Sequence, residues 1–224
     1  MSDKNAIMRL SRYRHAIIRL KALSLERVFS DNLADATGVS SSQVRKDFSI
    51  FGISGKKRGG YSVDELLKGL NSILDKDTEH LFVEVGAGNL GRALLNYPGF
   101  SKSDIKIVAA FDVDSAKYDR HAPIPVLPIE ELHDFIEKNQ IKYGIISTPD
   151  FAAQQVFVRM ISAGIKGILN FAPICLRGPE GYVVSNVNLE SEIENVIYFV
   201  NLIVLLFEIS ECHDIYLLLF LQNC

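Results

Sequence analysis

At 224 residues the chain has room for one large hydrophobic core or two modest ones. Hydrophobic residues make up 48% and charged residues 23%, a globular balance that excludes a disordered or fibrous chain. The net charge of −3 hides an asymmetry: residues 1–61 hold 12 Lys/Arg against 5 Asp/Glu, a net +7, and residues 62–224 hold 12 against 22, a net −10. The basic block can release counterions from a phosphate backbone, and the acidic remainder is repelled by one; charge alone fits a solvated basic surface equally well.

The first stretch, "MSDKNAIMRLSRYRHAIIRL", lacks the uninterrupted apolar run of a signal peptide. Ile7, Leu10, Ile17, Ile18 and Leu20 recur near helical spacing and predict a basic amphipathic helix. In "FSDNLADATGVSSSQVRKDFSIF", Ser30 is placed to cap a short helix through Ala36, and Gly38 to end it in a turn that needs positive φ. Ser40 or Ser41 caps the next helix, and two short helices across a glycine turn have helix-turn-helix dimensions. Leu33, Ala34, Val39 and Val44 pack the pair and leave Gln43, Arg45 and Lys46 facing outward. "GISGKKRGGYSV" has the composition of a hairpin wing, ending in a β-like stretch at Tyr61–Val63. "DELLKGLNSIL" is a helix and "DKDTEH" a polar linker, which places a domain boundary near residue 76.

From residue 81 the pattern changes. "LFVEV", "IKIVAAFDVD", "KYGIIST", "KGILNFAP" and "YVVSNV" read as strands, and "LGRALLNY", "PIEELHDFIEKNQ" and "DFAAQQVFVRMISAG" as helices between them. Such alternation predicts an α/β fold with a doubly wound parallel sheet. Residues 77–188 form this second domain, and residues 189–224 form an amphipathic helix with an apolar tail. Within the tail, Glu208, Glu211, His213 and Asp214 interrupt the apolar runs, so a dimer helix or apolar cap is expected rather than a membrane anchor.

"VEVGAGNLGRALLNY" carries GxGxxG between a strand and a helix, the context a dinucleotide site requires. Gly86 permits the tight turn, Gly88 lets backbone N–H groups approach a pyrophosphate, and Gly91 lets the helix lie close to the sheet. Asp112, 21 residues beyond Gly91, ends the next strand, where its carboxylate can accept from both adenosine ribose hydroxyls. It would repel a 2′-phosphate, which favours NAD(H) as cofactor over NADP(H). Glu84 conflicts with its place in a buried strand: it must reach solvent or have a partner.

On the basic side, Arg45 suits guanine O6 and N7, and Gln43 suits adenine or a phosphate. Ser41 and Ser42 at the helix start and Lys46 suit phosphates, and Lys56, Lys57 and Arg58 in the wing suit the minor groove or the backbone of duplex DNA. A helical oligomerisation domain with a basic exterior is the plainer alternative. Cys175, Cys212 and Cys224 are odd in number and widely spaced, and the five histidines show no HExxH or HxH spacing, so no disulfide framework or metal site is expected. The chain reads as cytoplasmic and reduced.

The segments "TGVSSSQVRKDFSIFG", "GKKRGGYSVDEL", "VGAGNLGRALLNYPGF", "VAAFDVD", "IISTP", "AGIKGILNFAP" and "NLESEIENVIYFVN" stand in one order over residues 8–201 and together resemble the Rex family of redox-sensing transcriptional repressors. The resemblance implies an N-terminal winged helix-turn-helix domain, a Rossmann-type NAD(H) domain and a C-terminal domain-swapped helix in a homodimer. It implies that NAD+ is compatible with operator binding and that NADH closes the dimer and releases operator DNA. Carried over by residue, Ala87, Asn89 and Leu90 join the three glycines at the pyrophosphate, and Thr148, Pro149, Asn170, Phe171 and Pro173 surround the nicotinamide end. Tyr97 matches a tyrosine linked to the redox response. Two departures touch the same network: Asn188 stands where the family has Asp, and His15, beside Arg14, where it has Arg. Loss of the negative partner predicts a weaker NADH response.

Two rivals remain. An NAD-dependent dehydrogenase would need an acid or base at the nicotinamide, and only Asp150 stands near; it reads better as a helix start. A thiol-based regulator would need a partner for Cys175, which reads better as a packing residue.

Overall fold

The structure is a computed structural model that describes residues 4–56, 59–101 and 103–203. The chain divides into two compact units, Met1–Glu79 and His80–Cys224.

The first unit holds α1 (Lys4–Ala22), β1 (Arg27–Val28), α2 (Ser30–Thr37), α3 (Ser41–Ile50), β2 (Tyr61–Ser62) and α4 (Val63–Ile73). Leu10, Tyr13 and Ile17 of α1 meet Leu33, Val44, Phe48 and Leu70 in one core. The Tyr13, Phe48 and Tyr61 rings pack edge to face within it. Gly38 ends α2 at φ 70°, and the Ser40 hydroxyl accepts from Gln43 N at the head of α3. Ser30 does not cap α2. It is the first helical residue, and the Asn32 side chain reaches back to the N–H of Phe29, which holds the cap position. The wing strand is shorter than expected, because Val63 already begins α4. Tyr61–Ser62 pairs antiparallel with Arg27–Val28, a two-residue strand that the sequence pattern is too short to reveal.

One buried acid joins two of these helices. Asp47 of α3 is fully buried and accepts from Arg9 Nε at 2.6 Å, Arg9 Nη2 at 2.7 Å, Tyr13 OH at 2.8 Å and Gln43 Nε2 at 2.8 Å. Burial opposes the charge, but the Arg9, Tyr13 and Gln43 donors outweigh it and hold the carboxyl below its ordinary range. Burial, reinforced by the Asp47 hydrogen bond and charge, raises the Tyr13 phenol.

The second unit contains β3 (His80–Val85), α5 (Asn89–Leu95), α6 (Pro98–Ser101), β4 (Ile105–Asp112), β5 (Val126–Pro128), α7 (Leu132–Asn139), β6 (Tyr143–Ile146), α8 (Asp150–Ser162), β7 (Gly167–Asn170) and β8 (Val183–Asn186). Its six strands are all parallel, in the order β5-β4-β3-β6-β7-β8. The chain runs outward from β3 on one side and restarts at β6 on the other, so β3 and β6 flank the point where strand order reverses. Val83, Val85, Phe111, Ile146, Phe157 and Met160 lie in the main core. β5 is an addition to the expected pattern, a three-residue edge strand among prolines that shows no alternation.

Residues 189–203 are helical and form α9. Leu189, Ile193, Val196, Ile197 and Val200 on this helix are all more than half exposed. The apolar tail beyond residue 203 lies outside the described residues.

Truncating Asp47 to Ala would remove the carboxylate to which Arg9, Tyr13 and Gln43 donate, and the N-terminal unit is expected to lose about 3 kcal/mol in denaturant unfolding followed by circular dichroism. Because the folded pKa of Asp47 lies below its unfolded value, its contribution is complete above the unfolded pKa. It disappears as pH falls through the folded value, so the gap between wild type and variant is expected to close in acid.

Candidate functional site

The loop after β3 is held from three sides. Gly86 has φ +113°, and a Cβ there would stand 2.6 Å from Ser147 O. A Cβ on Gly91 would stand 1.9 Å from Gly86 O, so only glycine lets α5 come this close to the strand end. Ser147 Oγ lies 2.8 Å from Gly86 O, Gly86 N donates to Phe111 O, and Ala87 N donates to Asp112 Oδ2 at 2.7 Å. Gly88 differs from its neighbours: it precedes α5 at φ −78°, with nothing within 4 Å of its added Cβ. The two tight glycines therefore shape the loop, and Gly88 leaves open room beside the backbone.

A cleft of about 480 Å³ opens at this loop. Of the residues expected at a dinucleotide, it is lined by Gly86, Gly88, Leu90, Asp112, Thr148, Pro149 and Phe171. Ala87, Asn89, Gly91, Asn170 and Pro173 are not in its lining. Asn170 is fully buried and splints the segment after β7, donating to Ile174 O and Asn186 Oδ1 and accepting from Ala172 N. Thr148 Oγ1 is buried without a hydrogen-bond partner among the described residues, a polar group that a ligand in the cleft would satisfy.

Asp112 carries more than the sequence suggested. Oδ2 accepts from Ala87 N and from Lys117 Nζ at 2.9 Å, and Oδ1 accepts from Asp114 N. Burial opposes its charge, but the Asp114 N–H, the Lys117 ammonium and the Ala87 N–H together hold the carboxyl below its usual range. Three of about four lone-pair directions are thus used, leaving about one for a ligand. Lys117, which sequence reasoning passed over, brings a cation to the cleft and offsets part of the repulsion expected against a 2′-phosphate. Lys117, Ser147 and Phe151 are lining residues that sequence reasoning missed. Ser147 was within reach of it, because it follows the strand beside β3.

In the first unit, Ser42, Arg45 and Lys46 are exposed on α3 and Lys56 is exposed beyond it; Ser41 is half-buried. Gln43 departs from the outward placement: it is half-buried, with its amide donating to Asp47. Arg45 Nη1 donates to Ser30 Oγ at 2.9 Å, which steers the guanidinium across the helix-turn-helix. Lys57 and Arg58 lie outside the described residues. His15 is exposed on α1. Tyr97 follows α5, is half exposed and meets Phe100 edge-on. Asn188 caps α9, its Oδ1 accepting from Glu190 N and Ser191 N. Asp150 opens α8, and Cys175 is exposed with its Sγ accepting from Asn186 Nδ2. Among the described residues no group of three or more His, Cys, Asp or Glu could hold a metal ion, and no helix is long and apolar enough to cross a membrane.

Two family profiles match the chain: "Putative DNA-binding protein N-terminus" over residues 4–49 and "CoA binding domain" over residues 75–174. A relative from Lactobacillus acidophilus, the "Redox-sensing transcriptional repressor Rex", is 38% identical over 88% of this chain and 94% of its own length. Crystal structures of RSP, a Rex-family repressor, among them two complexes, are each 34% identical to this chain. The complex with β-NADH has a TM-score of 0.84 and covers 93% of this chain and 99% of its own. The complex with β-NAD+ and operator DNA has a TM-score of 0.85 and covers 94% and 97%.

The loop geometry separates two glycines that look alike in the sequence. Gly91→Ala is expected to lower stability by about 2 kcal/mol or more, since the new methyl meets backbone and not a yielding side chain. Gly88→Ala is expected to stay within about 0.5 kcal/mol of wild type. Thermal unfolding of the two variants side by side reads the difference.

Proposed function

This chain belongs to the Rex family of redox-sensing transcriptional repressors, and from that premise we propose that it binds operator DNA as a cytoplasmic homodimer and lets go when NADH occupies the cleft of the second unit. The observation that carries the reading is the cleft, where a glycine loop fixed by Asp112 and Ser147 adjoins open space at Gly88 and a Thr148 hydroxyl that has no partner among the described residues. The RSP structures support it, since that relative holds β-NADH in one and β-NAD+ with operator DNA in the other.

The residues present suit the two ends of a dinucleotide. Backbone N–H groups around Gly88 and the first turn of α5 would face the pyrophosphate, and the remaining lone pair of Asp112 a ribose hydroxyl. When bound, NAD(H) supplies the redox signal, because its nicotinamide ring is positive when oxidised and neutral when reduced. Pro149, Phe151 and Phe171 offer that ring an apolar wall. Such a wall accepts a neutral ring and strips hydration from a charged one, and a switch follows when that wall closes on the ring in the DNA-free form more than in the DNA-bound form. The exposed apolar positions of α9 would be covered by the partner subunit, and paired subunits would present paired copies of α3 to DNA half-sites. Arg45, Ser42 and Lys46 would meet bases and phosphates, with Lys56 and its two basic neighbours in the wing.

The test uses full-length protein and a duplex it selects from a randomised pool, at fixed salt. NADH is expected to release the duplex and NAD+ to leave it bound; equal binding with both forms overturns the proposal. Asn188→Asp is expected to lower the NADH concentration for half-release by about fivefold, a coupling of about 1 kcal/mol. Thermal stability should not change, because Asp caps a helix as well as Asn does. An unchanged midpoint would show that position 188 does not set the response.

A further inference from the structure

Glu84 sits under the glycine loop as a fully buried acid on β3, with Ala110 of β4 and Ile145 of β6 beside it in register. Its Oε1 lies 2.9 Å from Ser147 Oγ, and its Oε2 has no hydrogen-bond partner among the described residues. The same Ser147 Oγ lies 2.8 Å from Gly86 O. A serine hydroxyl has one proton, and a carbonyl oxygen only accepts. Both contacts are hydrogen bonds together only when Ser147 donates to Gly86 O and the Glu84 carboxyl donates to Ser147. The acid must then be neutral. An ionised Glu84 would draw the Ser147 proton to itself and leave two oxygens, Ser147 Oγ and Gly86 O, facing each other without a proton between them. Gly86 O is also the atom against which Gly91 brings α5, so that repulsion falls on the hinge of the loop.

We infer that the proton on Glu84 is part of the dinucleotide-binding structure: it closes the Glu84–Ser147–Gly86 chain that shapes the loop, and its loss weakens binding. The inference rests on the proposed reading of the cleft as a dinucleotide site. An ionised Glu84 would also put a buried negative charge beneath a pyrophosphate. Burial pushes this carboxyl up to about 8, against the hydrogen bond that Ser147 would donate to the ionised form. The charged and titratable groups on the surrounding elements are engaged elsewhere or exposed. Asp112 of β4 is tied to Ala87, Asp114 and Lys117, while Lys106 of β4, Arg92 of α5, and Asp150 and Arg159 of α8 are exposed. His80 on β3 pairs with Asp104, and Tyr143 of β6 stacks on Phe82. None of them is a cause of the Glu84 shift, which among the described residues comes from burial first and Ser147 second.

NADH is the probe, titrated by fluorescence into full-length wild type and Glu84→Gln between pH 6.5 and 9.5. The Gln amide has the shape of the neutral acid and can donate to Ser147. If only the protonated form binds, the wild-type Kd is expected to rise about tenfold between pH 7 and pH 9. In Glu84→Gln it is expected to change by less than about twofold. Wild type alone gives a second reading: calorimetry at pH 8.5 in buffers of different ionisation enthalpy should show uptake of roughly three-quarters of a proton per NADH. That reading stands even if the Gln variant fails to fold. A flat wild-type profile without proton uptake, or an equal pH dependence in Glu84→Gln, overturns the inference and leaves the cofactor reading intact. Failure of NADH to bind wild type at any pH overturns both.

Discussion

The close approach of α5 to the end of β3 governs the second unit. Gly91 lies against the carbonyl of Gly86, and no other residue fits there without moving backbone. That contact turns the chain so sharply that Gly86 must adopt positive φ, and it brings Ala87 N to the Asp112 carboxylate on the neighbouring strand. The cleft is therefore a by-product of packing. Its floor is made of interlocked helix, strand and loop, while a Cβ on Gly88, at the edge of the cleft, would meet nothing within 4 Å. Binding energy from a ligand in such a cleft need not be spent on ordering the loop.

Three buried or nearly buried carboxyl groups show how environment sets charge. Asp47 faces the Arg9 guanidinium and two further donors, so it is ionised and ties α3 to α1. Asp112 faces two backbone N–H groups and Lys117, and it too is held ionised. Glu84 meets a single hydroxyl that is shared with a carbonyl, and it keeps its proton. The first two fasten secondary structure with charge, as paired buried ions do. The third fastens a loop with a proton, and only that arrangement responds to pH near neutrality.

The glycine spacing, the acid 21 residues on and the alternation of strands and helices made the parallel sheet and the β3 loop legible from the chain alone. Gly38 and Ser40 likewise announced the helix-turn-helix. The missed elements were short: β1 has two residues, β5 three and α6 four, too few for any periodicity, and the two strands depend on partners outside their own segment. Side-chain roles were harder still. Gln43 looked free to face outward until Asp47 claimed it, and the side chain of Asn170 is engaged by the turn after β7, which its sequence context did not show. Lys117 reaches the cleft through the tertiary fold, with no local pattern to mark it, whereas Ser147 was marked only by its place after the strand beside β3. Glu84 was legible as a conflict, an acid in a buried strand, and its resolution needed the position of Ser147.

Coupling between a cleft in one unit and DNA on another must be reciprocal: whatever NADH takes from the affinity for DNA, DNA takes from the affinity for NADH. The most direct measurement is therefore the Kd for NADH of the free protein against that of the protein saturated with its duplex, at one pH and one salt concentration. A redox-controlled repressor binds NADH more weakly on DNA by the same factor by which NADH weakens DNA binding. Identical NADH affinities on and off DNA would contradict the switch, whatever the quality of the cleft.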